Sequence, residues 1–229
     1  PYYWNYKPRL QKVIFPFVAS SDVAYQEYQD GQLDFTPVPA DRIAEARQLT
    51  GQYAQTPILS TEYFAMNFLA KPFDNLYIRQ AFALAIQRET LNNTIFDGTQ
   101  IPTYHIVPLG MLGYNANLIG PAGIKDSRGN FTVAQQRLQV GLQQEGWANV
   151  SQMPPIKLTY PKGPTADRLM TAVTQMWQSV LGVSVSLNPV DFNTLLAELT
   201  KTMGNPHGLQ MWYIGWGADY PDPQDWTTL

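Results

Sequence analysis

Apolar positions along this chain keep two different periods, and the alternation between them predicts its elements. In "NLYIRQAFALAIQ" the residues Ile78, Ala81, Phe82, Ala85 and Ile86 recur at i, i+3, i+4, i+7 and i+8. That spacing puts one apolar stripe on a helix, with Asp74 expected as its cap. "RETLNNTIFDG" continues as a short helix closed by Gly98. Phe131 to Glu145 repeats the helical period and is followed by Gly146, a helix stop. Thr165 to Leu181 and Asp191 to Thr202 read as two more helices. Between them lie short β-branched and aromatic runs, "IKLTY", "VSVSL" and "LQMWYIGW", and earlier the alternating "TPILSTEYFAMNF". Strands taking turns with helices of this length signal βαβ units and a largely parallel sheet, hence an α/β fold.

The first quarter is patterned less clearly. "LQKVIFPFVA", Leu10 to Ala19, and "QLDFTPV" each suggest a strand, although Pro16 weakens the first. Ser20, Ser21 and Asp22 offer capping oxygens to a helix that ends at Gly31, and "PADRIAEARQL" forms a second helix closed by Gly51. From Thr99 to Asn130 the pattern dissolves into Pro, Gly and Asn, and a loop that long usually covers or binds something.

Composition narrows the function. Charged residues make up only 14% and hydrophobic residues 45%, with polarity supplied by amides and tyrosines, which suggests an extracytoplasmic protein. The net charge is −3 and no Lys/Arg cluster exists, so the footprint of a nucleic-acid binder is missing. Cysteine is absent, which excludes disulfides, thiolate metal sites and cysteine nucleophiles. The two histidines, His105 and His207, sit in loops without an HExxH or G-x-S-x-G context. No cofactor and no metal site is expected.

The densest chemistry is "YIGWGADYPDPQDW", Tyr213 to Trp226. It follows the carboxyl end of a predicted strand, where open α/β sheets bind ligands. Gly215 and Gly217 permit close backbone approach, and Pro221 and Pro223 restrict the loop. Acids and aromatics on such a loop suit a cationic or amphipathic small ligand. The plainer alternative is that Trp216 and Trp226 are core aromatics and the aspartates form turns.

"YFAMNFLAKPFDNLYIRQAFALAIQRETL" resembles the dipeptide/oligopeptide-type substrate-binding proteins of bacterial ABC importers. Asn67, Pro72, Phe73, Asn75, Ile78, Arg79, Gln80, Ala81 and Arg88 carry the likeness, while Gln87 stands where that family usually has Asp. "PYYW", "GQLDF", "PLGMLGY", "LQQEGW" and "WYIGWGADYPDP" agree in the same order. The resemblance implies a periplasmic-binding-protein-like lobe (class II, cluster C type) with a largely parallel mixed sheet flanked by helices. Family members are much longer, so the chain is expected to be an internal fragment. Residues 1–60 would be the tail of a first lobe and 61–229 most of the carboxy-terminal lobe.

The resemblance further implies capture of peptides between two lobes and delivery to a membrane permease, outside the cytoplasm, with a lipoprotein anchor open for the full-length form. By it, Asp219 in the Trp-x-x-Asp motif pairs with the peptide α-ammonium, and Trp216, Gly217 and Tyr220 shape the pocket. Tyr63 and Asn67 are placed at the hinge and cleft. Asp222 and Asp225 are expected to hold the loop, Lys162 to be solvated, and Arg79 and Arg88 to make structural ion pairs. The same fold with an oligosaccharide or another small solute is the alternative. A glycoside hydrolase using Glu62, Asp219 or Asp222 is a remote one.

Overall fold

The computed structural model describes residues 9–227, which divide after Tyr53 into two compact units. The "PYYW" stretch lies outside the described residues.

In the first unit, helix α1 (Ser21–Gln29) starts where Ser20 Oγ accepts the Val23 N–H at 3.3 Å, and the chain turns at Gly31 with φ +73°. Helix α2 (Ile43–Ala46) follows a 3-10 turn over Ala40–Arg42 and is shorter than its sequence pattern suggests. Neither predicted strand forms: residues 10–19 and 32–38 pair with no strand among the described residues. A lone strand has no ladder to satisfy its backbone, and Pro16 and Pro37 each remove a donor such a ladder would need. Phe15 and Phe17 stay exposed, at 84% and 108%.

The second unit runs β1 (Ser60–Met66), α3 (Leu76–Leu84), α4 (Arg88–Ile95), α5 (Phe131–Glu145), β2 (Ile156–Pro161), α6 (Pro164–Leu181), β3 (Val185–Val190), α7 (Phe192–Thr202), β4 (Met211–Gly217) and α8 (Gln224–Thr227). The four strands form one mixed sheet in the order β1-β4-β2-β3. β2 is parallel to both β3 and β4, and β1 runs antiparallel to β4 with Ser60 opposite Gly217 and Met66 opposite Met211. The expected α/β architecture with a largely parallel mixed sheet is therefore present.

The stripe read from the sequence is the core. Ile78, Ala81, Phe82 and Ala85 are fully buried and Ile86 nearly so. Phe82 packs edge-on to Phe73 with ring centroids 5.2 Å apart and lies 5.1 Å from Trp177, whose indole N–H donates to Phe82 O at 3.0 Å. Phe64 of β1 reaches the same cluster, 5.7 Å from Trp177. That assigns Phe64, with Glu62 and Met66, to the α6 side of β1, and Thr61, Tyr63 and Ala65 to the other.

Three local expectations change. Asn75, not Asp74, caps α3: its Oδ1 accepts from the N–H groups of Tyr77 and Ile78. Arg79 and Arg88 bond to backbone instead, and among the described residues neither makes an ion pair. Arg79 donates to Phe73 O and Asp74 O, and Arg88 to Ala83 O. Burial holds the Arg88 guanidinium below its ordinary range. Ala83 lies in the last turn of α3, whose carbonyls lack intrahelical partners, whereas Phe73 and Asp74 lie in the turn that precedes that helix.

Candidate functional site

The loop after β4 is tied down from three directions. Strand pairing ends with Ser60 opposite Gly217, and the Ala218 N–H then donates to Leu59 O at 2.8 Å. Ser60 Oγ donates to Trp216 O at 3.0 Å. From within the loop, the buried Asp225 carboxylate accepts both the Trp216 indole N–H at 3.1 Å and the Asp219 backbone N–H at 2.9 Å. Asp222 accepts the Gln224 N–H at 2.8 Å and so starts α8. The expectation that Asp222 and Asp225 hold the loop is met. Trp226 is buried, as an ordinary core aromatic would be, whereas Trp216 is half-buried.

These ties leave Asp219 exposed at a shallow depression of about 420 Å³. Its floor and walls come from Ile58, Ser60, Gly217, Tyr220 and Pro221. The Asp219 carboxylate accepts no hydrogen bond from the described residues, because Asp225 has taken the structural work. A β-carbon at Gly217 would meet open space, whereas at Gly215 it would touch Glu62 at 3.4 Å. The loop is acidic: the Tyr220 phenol is held above its ordinary range by burial first, then by the Asp225, Asp222 and Asp219 carboxylates. A free carboxylate in a negative field, beside open backbone and aromatic edges, favours a positively charged group nearby.

Not every predicted residue joins it. Tyr63, opposite Ile214, shares its sheet face with Trp216 through the Thr61–Trp216 pair, and burial raises its phenol's pKa. Asn67 lies beyond the other end of β1, about 23 Å along the strand from Ser60 at ~3.3 Å per residue. Its side chain donates to Asn205 O at 2.9 Å and accepts from the Leu69 N–H at 3.0 Å, so it fastens the strand end. Lys162 pairs with Asp191 at 2.8 Å on the exposed surface. Glu62 receives a short hydrogen bond from the buried Tyr213 hydroxyl, whose pKa burial and the Glu62 charge push upward. Sequence patterns missed Ile58, Leu59 and Ser60 as neighbours of the loop, since a strand 156 residues away brings them there. Among the described residues no group of His, Cys, Asp and Glu could hold a metal ion, and no helix is long and apolar enough to cross a membrane.

Comparison with known proteins places this geometry. A family model described as bacterial extracellular solute-binding proteins, family 5 Middle, matches residues 1–229. The oligopeptide-binding protein OppA of Bacillus subtilis is 28% identical over 99% of this chain and 41% of its own length. The dipeptide-binding protein DppE of the same organism is 28% identical over 86% of this chain and 36% of its own. The chain thus spans well under half the length of these relatives. Among solved structures, Listeria monocytogenes OppA bound to peptide superposes with a TM-score of 0.73 at 23% identity, covering 93% of this chain and 41% of that one. That likeness shows the fold.

Proposed function

Because the chain belongs to the bacterial extracellular solute-binding proteins of family 5, we propose that it is part of the peptide-capturing component of an ABC importer. The observation that carries this is Asp219, a carboxylate freed by Asp225 and presented beside exposed Gly217 at the end of a sheet strand. In this reading Asp219 receives the α-ammonium group of a peptide, a charge-assisted hydrogen bond that strengthens once closure excludes water. Trp216 and Tyr220 supply apolar walls, and Gly217 lets the ligand backbone come close. Tyr63 extends the aromatic face along β1, while Asn67 contributes by anchoring the strand.

Relatives named as peptide binders, and a periplasmic setting for several of them, support the same cargo class here. Residues 1–60 would then belong to a first lobe and 61–229 to the lobe that carries the loop. The full-length protein would hand its cargo to a membrane permease.

Calorimetric titration of the full-length protein with a peptide pool, and with the same pool N-acetylated, tests the assignment. Free peptides are expected to bind, and both acetylation and Asp219→Asn to weaken binding about 100-fold, as loss of one partner of an enclosed charge pair costs ~2–5 kcal/mol. Equal binding of the acetylated pool overturns the ammonium role. Binding of an oligosaccharide but of neither pool overturns the peptide assignment.

A further inference from the structure

Two walls bound the depression at Asp219, and both are fixed by backbone hydrogen bonds. Ile58 stands on one, in the segment that leads into β1, where the Ser60 N–H donates to Ile58 O at 2.9 Å. Tyr220 and Pro221 stand on the other, where the Asp222 N–H donates to Tyr220 O at 2.9 Å. The bond from the Ala218 N–H to Leu59 O joins the two segments. Ile58 and Tyr220 are nevertheless 76% and 44% exposed. A single exposed isoleucine needs no explanation, whereas apolar side chains converging on one carboxylate form a shaped surface.

The polar side chains of this lining are few and, Asp219 apart, already engaged. Ser60 Oγ spends its proton on Trp216 O, and the Tyr220 hydroxyl spends its own on Gln224 Oε1. The Asp219 N–H is taken by Asp225. Among the described residues no Lys, Arg or His lines the depression, so its one charge is the Asp219 carboxylate. Asp222 and Asp225 lie close enough to add to the same negative field, since both act on the Tyr220 phenol. The lining therefore offers apolar surface and acceptors, and no free side-chain donor.

We infer that, with Asp219 holding the ammonium group as proposed above, the depression is a subsite selective for an apolar first side chain, with Ile58 as its specificity-determining residue. The α-carbon of a peptide's first residue is one bond from the ammonium nitrogen. With the ligand backbone passing over Gly217, where a β-carbon meets only open space, the first side chain falls between the two walls. A leucine there buries its surface against Ile58, Leu59 and Pro221. A serine has little surface to bury. A glutamate meets like charge and finds no donor to replace its water. A lysine gains from the field, but Asp219 is already occupied, so its head stays hydrated and only its stem contributes.

The test is calorimetric titration of the full-length protein with four peptides that differ only in their first residue, Leu, Ser, Lys or Glu. All four have free amino termini, and the Leu-first peptide is also supplied N-acetylated. The Leu-first peptide is expected to bind tightest, Ser-first and Lys-first about tenfold weaker and Glu-first about 100-fold weaker. Ile58→Asn is expected to weaken the Leu-first peptide about tenfold and leave the Ser-first peptide within about twofold, and Ile58→Leu to restore the preference. Because Ile58 is so exposed, neither substitution removes a core contact. The acetylated peptide reports on Asp219 alone: if it binds as tightly as the free one, or if no peptide binds, the ammonium reading falls and the subsite with it. If acetylation weakens binding but the four free peptides bind alike, or the Lys-first or Glu-first peptide binds tightest, the ammonium reading stands and the apolar subsite is overturned. An unchanged Leu-to-Ser preference in Ile58→Asn overturns the role of Ile58.

Discussion

Asp225 and Asp219 are the same residue type six positions apart, and their surroundings give them opposite work. Asp225 is buried and spends one oxygen on two donors, while Asp219 is exposed and spends none. A similar division sets the behaviour of the tyrosines. Tyr160 donates to Asp167 at 2.9 Å, and burial, helped by that carboxylate, pushes its pKa up to about 12. In the unfolded chain the same phenol ionises near 10. As pH rises past 10 the unfolded state loses this proton first, so the native state loses stability until about pH 12. Tyr160→Phe has no proton to lose there. Chemical denaturation across that range is expected to show a shallower decline for the variant, and parallel curves would contradict the linkage.

Packing between elements is tightest where α3 meets α5. A β-carbon on Gly141 would fall 2.6 Å from Cγ1 of Ile78, itself fully buried, and 3.3 Å from the Asn75 carbonyl oxygen that caps α3. Two effects of Gly141→Ala oppose each other. Alanine favours a helix over glycine by ~1 kcal/mol, and overpacking a filled core costs ~1–3 kcal/mol. The clash wins because a β-branched, fully buried side chain has no free rotamer to retreat into. Gly141→Ala is expected to destabilise by about 1–2 kcal/mol in urea denaturation, and a more stable variant would show that the helices can separate cheaply.

At the scale of the whole molecule, the two units differ in what they bury. Residues 54–227 hold the aromatic cluster of Phe73, Phe82 and Trp177 and every strand of the sheet. In the first unit Tyr25, Ile43 and Ala46 are buried, while Phe15, Phe17 and Phe35 remain exposed. Conformational entropy grows with every ordered residue, and so small a core offsets little of it. A fragment of residues 54–229 is therefore expected to unfold cooperatively, followed by near-ultraviolet circular dichroism of its tryptophans. A fragment of residues 1–53 is expected to lack a cooperative transition. The opposite pattern would show that the sheet unit borrows its stability.

How much the sequence alone determined depends on whether the information was local. The helix over Phe131–Glu145 was legible because its period and its Gly146 stop lie within one segment, and the structure adds the Asn130 side chain as its cap. The stripe on α3 and the order of strands and helices after it were legible for the same reason. The family likeness pointed to the loop at Asp219 before any coordinates did. What remained hidden was pairwise. Leu10–Ala19 has a strand's composition, but a strand exists only if another pairs with it, and none among the described residues does. Asn67 and Asp219 belong to one list of motifs, yet the register of β1 on β4 sends them to opposite ends. The walls of the Asp219 depression depend on Ile58 and Leu59 meeting the loop, and a hydrogen bond between residues 156 apart helps decide that. Local propensity is written in neighbouring residues. Which side chains share a site is set by contacts between distant ones, and only the folded chain brings them together.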